Sequence, residues 1–113
     1  MHELSIAEDL SSIVLDEAKR AGLTNVSKVD ISFGQMVQIV PDIFRFAFAE
    51  CVRGTIAEAA EVDIEIIPLK MKCASCGNDF NVNNNRFVCL VCNSTELEII
   101  NGKELFIKSI EGE

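Results

Sequence analysis

Apolar residues recur at helical spacing in two stretches of the chain, and both stretches carry signals for a helix start. The first begins at Ser5-Ile6-Ala7-Glu8, which has the form of a capping box, and ends before Gly22, a residue suited to the left-handed turn that closes a helix. The second follows Pro41, which fits a first helical position, with Asp42 in the first turn. We therefore predict two amphipathic helices. The residues expected to face the core are Ile6, Leu10, Ile13, Val14, Ala18 and Ala21 in the first helix, and Ile43, Phe44, Phe46, Ala47, Phe48, Cys51 and Val52 in the second.

Alternation of apolar and polar residues predicts strands elsewhere in the chain. Residues 26–33 and 62–67 alternate in this way. Two further strand-like runs, 97–100 and 104–110, flank Asn101-Gly102. Asn-Gly between such runs favours a type I′ turn, so we expect the last two strands to pair as a hairpin.

Four of the five cysteines form two matched pairs. The chain reads Cys73-Ala74-Ser75-Cys76, then twelve residues, then Cys89-Leu90-Val91-Cys92. Each CxxC segment folds into a tight knuckle that aims two sulfurs at one point, and two knuckles complete a tetrahedron with metal–sulfur distances near ~2.3 Å. Gly77 and Asn93, which follow the pairs, most easily adopt the left-handed conformation that such a turn needs. The spacing predicts a closed, structural zinc site. Disulfides or a redox CxxC are the alternatives, and two matched pairs without a secretory signal disfavour both.

Together these elements indicate an α+β fold. We expect two helices packed on a small, about three-stranded sheet, with an inserted zinc-ribbon-like lobe. Because the cysteines lie between the second and third predicted strands, the main domain is discontinuous. The predicted domains are residues 1–70, completed by strand 103–113, and an inserted zinc lobe of residues 71–102.

Composition narrows the classes of function. The formal net charge is −8, and binding to phosphates needs clustered Lys and Arg, so we expect no nucleic-acid partner. Hydrophobic residues make up 49% of the chain, which is enough for a core, but no apolar run reaches the ~18 residues of a membrane span. Without a secretory signal pattern, the chain is expected to be cytoplasmic. We interpret Cys51, the fifth cysteine, as a buried apolar thiol.

The first three residues are a second candidate metal site. His2 is the single histidine of the chain and stands next to the amine of Met1. The amine, the deprotonated amide of His2 and its Nδ1 atom can close fused chelate rings, and such a planar, nitrogen-rich set suits Ni(II) or Cu(II). Glu3 can add an oxygen ligand. On these residues alone, the alternative of a solvated histidine at a mobile chain end stays open.

The motifs along the whole chain resemble those of the hydrogenase maturation factor HypA family, which are nickel metallochaperones. The combination of an initial Met-His-Glu with this cysteine spacing is the specific part of the match. The matching segments are Met1-His2-Glu3-Leu4-Ser5, Gly34, Pro41-Asp42-Ile43-Phe44-Arg45-Phe46, Gly54-Thr55, Ile64-Glu65-Ile66 with Pro68, the two CxxC pairs, Gly102-Lys103-Glu104-Leu105-Phe106-Ile107 and Ser109-Ile110-Glu111.

The resemblance implies that the two metal sites have different roles. Nickel, the cargo, is expected at the amino terminus on His2, with Glu3 and the amine of Met1. Zinc is expected on the cysteines as a structural ion. The implied partners are the HypB GTPase, the large subunit of NiFe-hydrogenase and, in some organisms, urease accessory proteins. A monomer or a homodimer fits this role, and the family is not one of enzymes.

The chain departs from many relatives in two respects, and two other functions remain as alternatives. Leu90 stands where many relatives have proline, and the zinc lobe has no histidine that could reach the nickel. A further nickel ligand must then come from Glu3, from Asp42, from water or from a partner.

One alternative function is that of a zinc-ribbon protein-interaction adaptor without a nickel function. The other is a metal-dependent enzyme, which the absence of a second histidine and of a Gly-rich phosphate loop disfavours.

Overall fold

The computed structural model describes residues 3–82 and 86–113. The predictions made for Met1 and His2 therefore lie outside the described residues. The described elements are α1 (Glu3–Arg20), β1 (Val26–Gly34), a 3-10 turn (Gln35–Val37), α2 (Pro41–Cys51), β2 (Glu61–Ile67), β3 (Lys70–Cys73), β4 (Asp79–Asn81), β5 (Leu97–Asn101) and β6 (Leu105–Gly112). The prediction of an α+β chain with two helices is confirmed.

The six described strands form two three-stranded sheets, with the orders β2-β1-β6 and β4-β3-β5. The chain divides into two compact units. The helical unit consists of the chain up to Ser32 with Ile39–Glu65 and Leu105–Glu113, and the cysteine unit consists of Phe33–Gln38 and Ile66–Glu104.

The core of the helical unit is apolar and closely packed. One stripe of α1 is buried, and β1, the central strand of its sheet, is buried at Val29 and Ile31. The rings of Phe44 and Phe48 on α2 pack 5.9 Å apart. The buried apolar residues of this unit are Ala7, Leu10, Val14, Ala18, Val26, Val29, Ile31, Ile39, Phe44, Ala47, Phe48, Val52 and Ala57.

Some residues predicted for the core are exposed instead. Phe46 is 72% exposed and Ile43 is 53% exposed, so the assignment of all the α2 phenylalanines to the core is wrong. Successive helix residues are about 100° apart, and the buried face of α2 is centred on Phe44, Ala47 and Phe48. Positions 43 and 46 therefore lie beside that face. The same geometry leaves Ile13 of α1 47% exposed, although it was predicted to be buried.

The predicted end of α1 is confirmed and its predicted start is wrong. Gly22 has φ +74°, and its N–H donates to the carbonyl of Lys19 while the next N–H, of Leu23, donates to that of Ala18. This is the hydrogen-bond pattern of a Schellman motif. At the other end the chain is already helical at Glu3, so Ser5 lies within the helix and is not its cap. A contact distant in sequence, described below, holds this first turn.

The predicted hairpin at Asn101-Gly102 is also wrong. β5 pairs with β3, whereas β6 belongs to the sheet with β1. A type I′ turn needs a positive φ at both central residues; Gly102 has φ +122°, but Asn101 is not among the described residues with a positive φ. A Cβ atom on Gly102 would lie 2.9 Å from the Cα of Leu69, and one on Gly34 would lie 2.1 Å from the carbonyl of Gly102. The glycine thus serves a close approach of backbones and not a tight turn.

Candidate metal centres

The cysteine pairs lie on two turns with the same backbone hydrogen bonds. In the first, the N–H of Gly77 donates to the carbonyl of Cys73 over 2.9 Å, and in the second, that of Asn93 donates to Cys89 over 2.8 Å. These closing residues have φ values of +77° and +62°. Both are the left-handed conformations predicted from the residue types. The hydroxyls of Ser75 and Ser94, 3.0 Å apart, join the two turns.

The structure brings all four sulfurs together. Their Sγ atoms lie within 4.8 Å of one another. The Sγ atoms of Cys73 and Cys92 are 3.5 Å apart, and those of Cys76 and Cys89 are 3.6 Å apart. A disulfide requires ~2.05 Å, whereas a tetrahedral ion at ~2.3 Å from each sulfur requires separations of roughly 3.8 Å. The separations therefore match a shared metal ion and not a pair of disulfides.

The charges of the cluster also favour a cation. The N–H of Cys76 donates to the Cys73 sulfur and lowers the pKa of that thiol to about 6. The N–H of Cys92 lowers the pKa of Cys89 in the same way. At Cys92 the N–H of Ser94 favours the thiolate, but the hydrogen bond with the Cys73 sulfur and burial outweigh it and raise the pKa to about 12. Thiols this close cannot all ionise unaided, and a bound dication removes the obstacle because it stabilises every thiolate.

The strands on either side of the first knuckle support it. β3 leads into Cys73 and pairs antiparallel with both β4 and β5. Leu69, Met71 and Val82 are buried together, with Phe80, Leu97 and Ile99 packed against them.

Of the predicted nickel ligands, Glu3 is the one that falls within the described residues. Glu3 is 3% exposed, and its Oε2 atom accepts the N–H of Val40 over 3.1 Å. Val40 is the residue before α2 and has no side-chain cap of its own. Glu3 therefore ties the first turn of α1 to the start of α2. This contact could not be predicted from the sequence, because a pairing between residues 37 positions apart leaves no periodic signal.

Asp42, the other acid considered for nickel, lies in the first turn of α2. Its side chain is 95% exposed, and its Oδ1 atom accepts Nη1 of Arg45 over 3.2 Å. The structure therefore gives Asp42 a local partner, and its position in the first turn also suits the helix dipole.

None of the described helices is long and apolar enough to cross a membrane.

The fold and the cysteine cluster define a small α+β metal-binding protein with a closed four-thiolate site. Comparison with known proteins identifies the family. The family model described as "Hydrogenase/urease nickel incorporation, metallochaperone, hypA" matches residues 1–112. The chain belongs to the HypA family of nickel metallochaperones.

Individual relatives agree with this assignment over the full length. The chain is 36% identical over 111 residues to the hydrogenase maturation factor HypA of Aquifex aeolicus, covering 98% of this chain and 96% of the relative. It is 37% identical over 111 residues to that of Dehalococcoides mccartyi, covering 98% and 93%. A solution structure of the Ni metallochaperone HypA from Helicobacter pylori has the same fold, with a TM-score of 0.70, 24% identity and coverage of 99% of this chain and 97% of that one.

Proposed function

We propose that this chain takes up Ni(II) at its amino terminus and delivers it for the maturation of NiFe-hydrogenase. The ligands in this proposal are the amine of Met1, the amide and imidazole nitrogens of His2, and the carboxylate of Glu3. The observation that carries the proposal is the family match over residues 1–112, which includes these three residues and both cysteine pairs.

Zinc has the structural role in this proposal. With four thiolates around it, Zn(II) on Cys73, Cys76, Cys89 and Cys92 has no open position for a substrate or a water. Soft thiolates select zinc, whereas nitrogen-rich planar sets select nickel. The two ions are thus sorted by ligand chemistry, and the proposal contains no catalytic step. The domain boundaries of 1–70 with 103–113 for the nickel-binding part and 71–102 for the zinc lobe belong to the same proposal.

Glu3 gives the nickel ligands a fixed attachment. Its carboxylate is held against the N–H of Val40, so the backbone at residue 3 is anchored to both helices of the helical unit. A ligand set at a chain end can still be removed one ligand at a time, which suits a protein that must pass its metal on. Protons compete for the amine, amide and imidazole nitrogens, so nickel affinity should fall on acidification.

The partners follow from the family. We propose the HypB GTPase and the large subunit of NiFe-hydrogenase as direct partners, with urease accessory proteins as a second set of clients, all in the cytoplasm. The net charge of −8 favours protein surfaces with basic residues over nucleic acid. A monomer or a homodimer is compatible with each of these exchanges.

Calorimetric titration with nickel tests the proposal directly. The protein must be zinc-loaded and must begin at its native Met1, because any extension removes the amine from the ligand set. Wild type should bind about one nickel ion and His2→Ala should bind none, with zinc content unchanged in both. Equal binding by the two proteins would contradict the terminal site. Affinity that stays constant between about pH 7.5 and about pH 5.5 would contradict ligation by His2.

A second variant separates the two roles of Glu3. Glu3→Gln keeps an oxygen that can accept the N–H of Val40 but loses the negative charge. Nickel affinity should fall, while circular dichroism should still show the helical fold, because the N–H of Val40 keeps an acceptor. If nickel affinity is unchanged, Glu3 is a structural residue and not a ligand.

A further inference from the structure

The four cysteines differ in exposure in a way that the zinc site does not require. Within each knuckle the first cysteine is buried, Cys73 and Cys89 both at 0%, and the second is exposed, Cys76 and Cys92. Tetrahedral coordination needs four sulfurs around one ion and no particular accessibility. A small solute that reacts with thiolates will therefore reach Cys76 and Cys92 more readily than Cys73 and Cys89.

Two short sulfur–sulfur distances run between the knuckles. The Sγ atoms of Cys92 and Cys73 are 3.5 Å apart, and those of Cys76 and Cys89 are 3.6 Å apart. Each of these distances joins the sulfur of an exposed cysteine in one knuckle to that of a buried cysteine in the other. The geometry thus supplies two pairs, each with one exposed cysteine and one buried cysteine next to it. This is the arrangement of a reactive cysteine beside a resolving cysteine.

We infer that the cysteine cluster is a modification site for hydrogen peroxide, in which Cys76 and Cys92 are oxidised first and are then captured across the knuckles by Cys89 and Cys73. The inference deepens the proposed function and rests on its zinc part, because it concerns the metal-loaded cluster. The oxidant is a small hydroperoxide, which reaches the two exposed cysteines without unfolding of the lobe.

The chemistry balances in two steps at each pair. The Cys92 thiolate attacks one oxygen of H₂O₂; an S–O bond forms, the O–O bond breaks, and the hydroxide that leaves takes a proton to become water. The Cys73 thiolate then attacks the Cys92 sulfur; an S–S bond forms, the S–O bond breaks, and a second hydroxide becomes water. The two sulfurs lose two electrons to the peroxide. Cys76 and Cys89 react in the same way with a second peroxide.

Oxidation therefore replaces the zinc ion by disulfide bonds between the knuckles, and this change is reversible. The first disulfide leaves two thiolates, which hold zinc weakly, and the second leaves none. Zinc is therefore released while the two knuckles stay joined. A thiol reductant regenerates the four thiolates, because disulfides, unlike sulfinic acids, are readily reduced.

Peptide mass spectrometry on the full-length, zinc-loaded protein tests the inference. Wild type and Cys51→Ser are treated in parallel with H₂O₂, with and without dimedone, which traps sulfenic acids. The Cys51→Ser variant removes the half-buried thiol outside the cluster. We expect dimedone adducts on Cys76 and Cys92. Without dimedone we expect the disulfides Cys73–Cys92 and Cys76–Cys89, with one zinc released per about two peroxides and zinc binding restored by a reductant.

Several outcomes overturn the inference. These are adducts mainly on Cys73 and Cys89, disulfides within a knuckle, or oxidation to sulfinic acids without disulfides. Oxidation confined to Cys51 with zinc retained also overturns it. The zinc content measured before peroxide is added separates this test from that of the proposed function. Protein purified without zinc contradicts the proposed zinc site itself, whereas zinc-loaded protein with the wrong disulfides contradicts only the modification.

Discussion

The helical unit and the cysteine unit are stabilised by different means. In the helical unit, large side chains such as Phe44, Phe48 and Val14 are almost completely buried. In the cysteine unit, the cluster beside the knuckles buries Leu69, Met71 and Val82, with three half-buried partners. Burial of a large apolar side chain contributes about 1.5–3 kcal/mol, so the first unit gains far more from apolar contacts than the lobe around the cysteines. A metal ion is the natural substitute where the apolar core is small.

Metal removal tests this comparison with the largest expected effect. Structural zinc contributes about 10–16 kcal/mol in zinc-finger peptides, which is more than the small cluster can replace. Chelation should therefore abolish protection from amide exchange in residues 71–98, while α1, α2 and β1 stay protected. Amide hydrogen exchange with and without a chelator measures this. Loss of protection in both units together would show that the helical unit also depends on the metal.

The same difference explains how much of each region could be predicted from sequence. The metal cluster is encoded by local spacing, so Cys73, Cys76, Cys89 and Cys92 and the left-handed residues after them could be placed from the sequence. The approximate positions of both helices and the end of α1 at Gly22 also follow from local signals in the sequence. The domain boundaries and the nickel ligands Met1, His2 and Glu3 stay predictions.

Features that depend on distant contacts could not be predicted. The start of α1 is held by Glu3 against Val40, and Gly102 is constrained by the backbones of Gly34 and Leu69. In both cases a local motif suggested a different structure. Ser5 fitted a capping box, and Gly102 fitted a type I′ turn. Propensity gives the same weight to a turn glycine and to one that permits close packing, and only the tertiary contact distinguishes them.

A matched pair of phenylalanines tests the apolar side of the comparison with a smaller effect. Phe48 is 1% exposed and Phe46 is 72% exposed on the same helix. Phe48→Ala should lower the free energy of unfolding of the helical unit by about 3–5 kcal/mol, because it removes a buried ring and leaves a cavity. Phe46→Ala should change it by less than about 0.5 kcal/mol.

Denaturant unfolding followed by far-ultraviolet circular dichroism measures both variants. The zinc content of each should equal that of wild type, because neither ring lies in the cysteine unit. If Phe46→Ala proves as destabilising as Phe48→Ala, the exposed ring has a stabilising contact in solution, such as a second copy of the chain. A protein-concentration dependence of its stability would identify that case.

The smallest expected effect comes from two glycines with nearly the same backbone conformation, one in each unit. Gly22 has φ +74° and Gly77 has φ +77°, and a Cβ atom would meet nothing within 4 Å at either position. Alanine should therefore cost only the left-handed strain, about 1–2 kcal/mol. In Gly22→Ala the cost should appear as lower stability of the helical unit with unchanged zinc affinity. In Gly77→Ala it should appear as zinc affinity lowered about tenfold.

The second knuckle supplies the matched control for this pair. It closes with Asn93 at φ +62°, so Gly77→Asn should retain zinc affinity close to that of wild type. Competition with a chromogenic chelator measures zinc affinity for all three variants. If Gly77→Asn is as weak as Gly77→Ala, the first knuckle needs its glycine for a reason other than backbone conformation. If Gly22→Ala also loses zinc, the strain at the end of α1 reaches the cysteine cluster, and the two units are not stabilised independently.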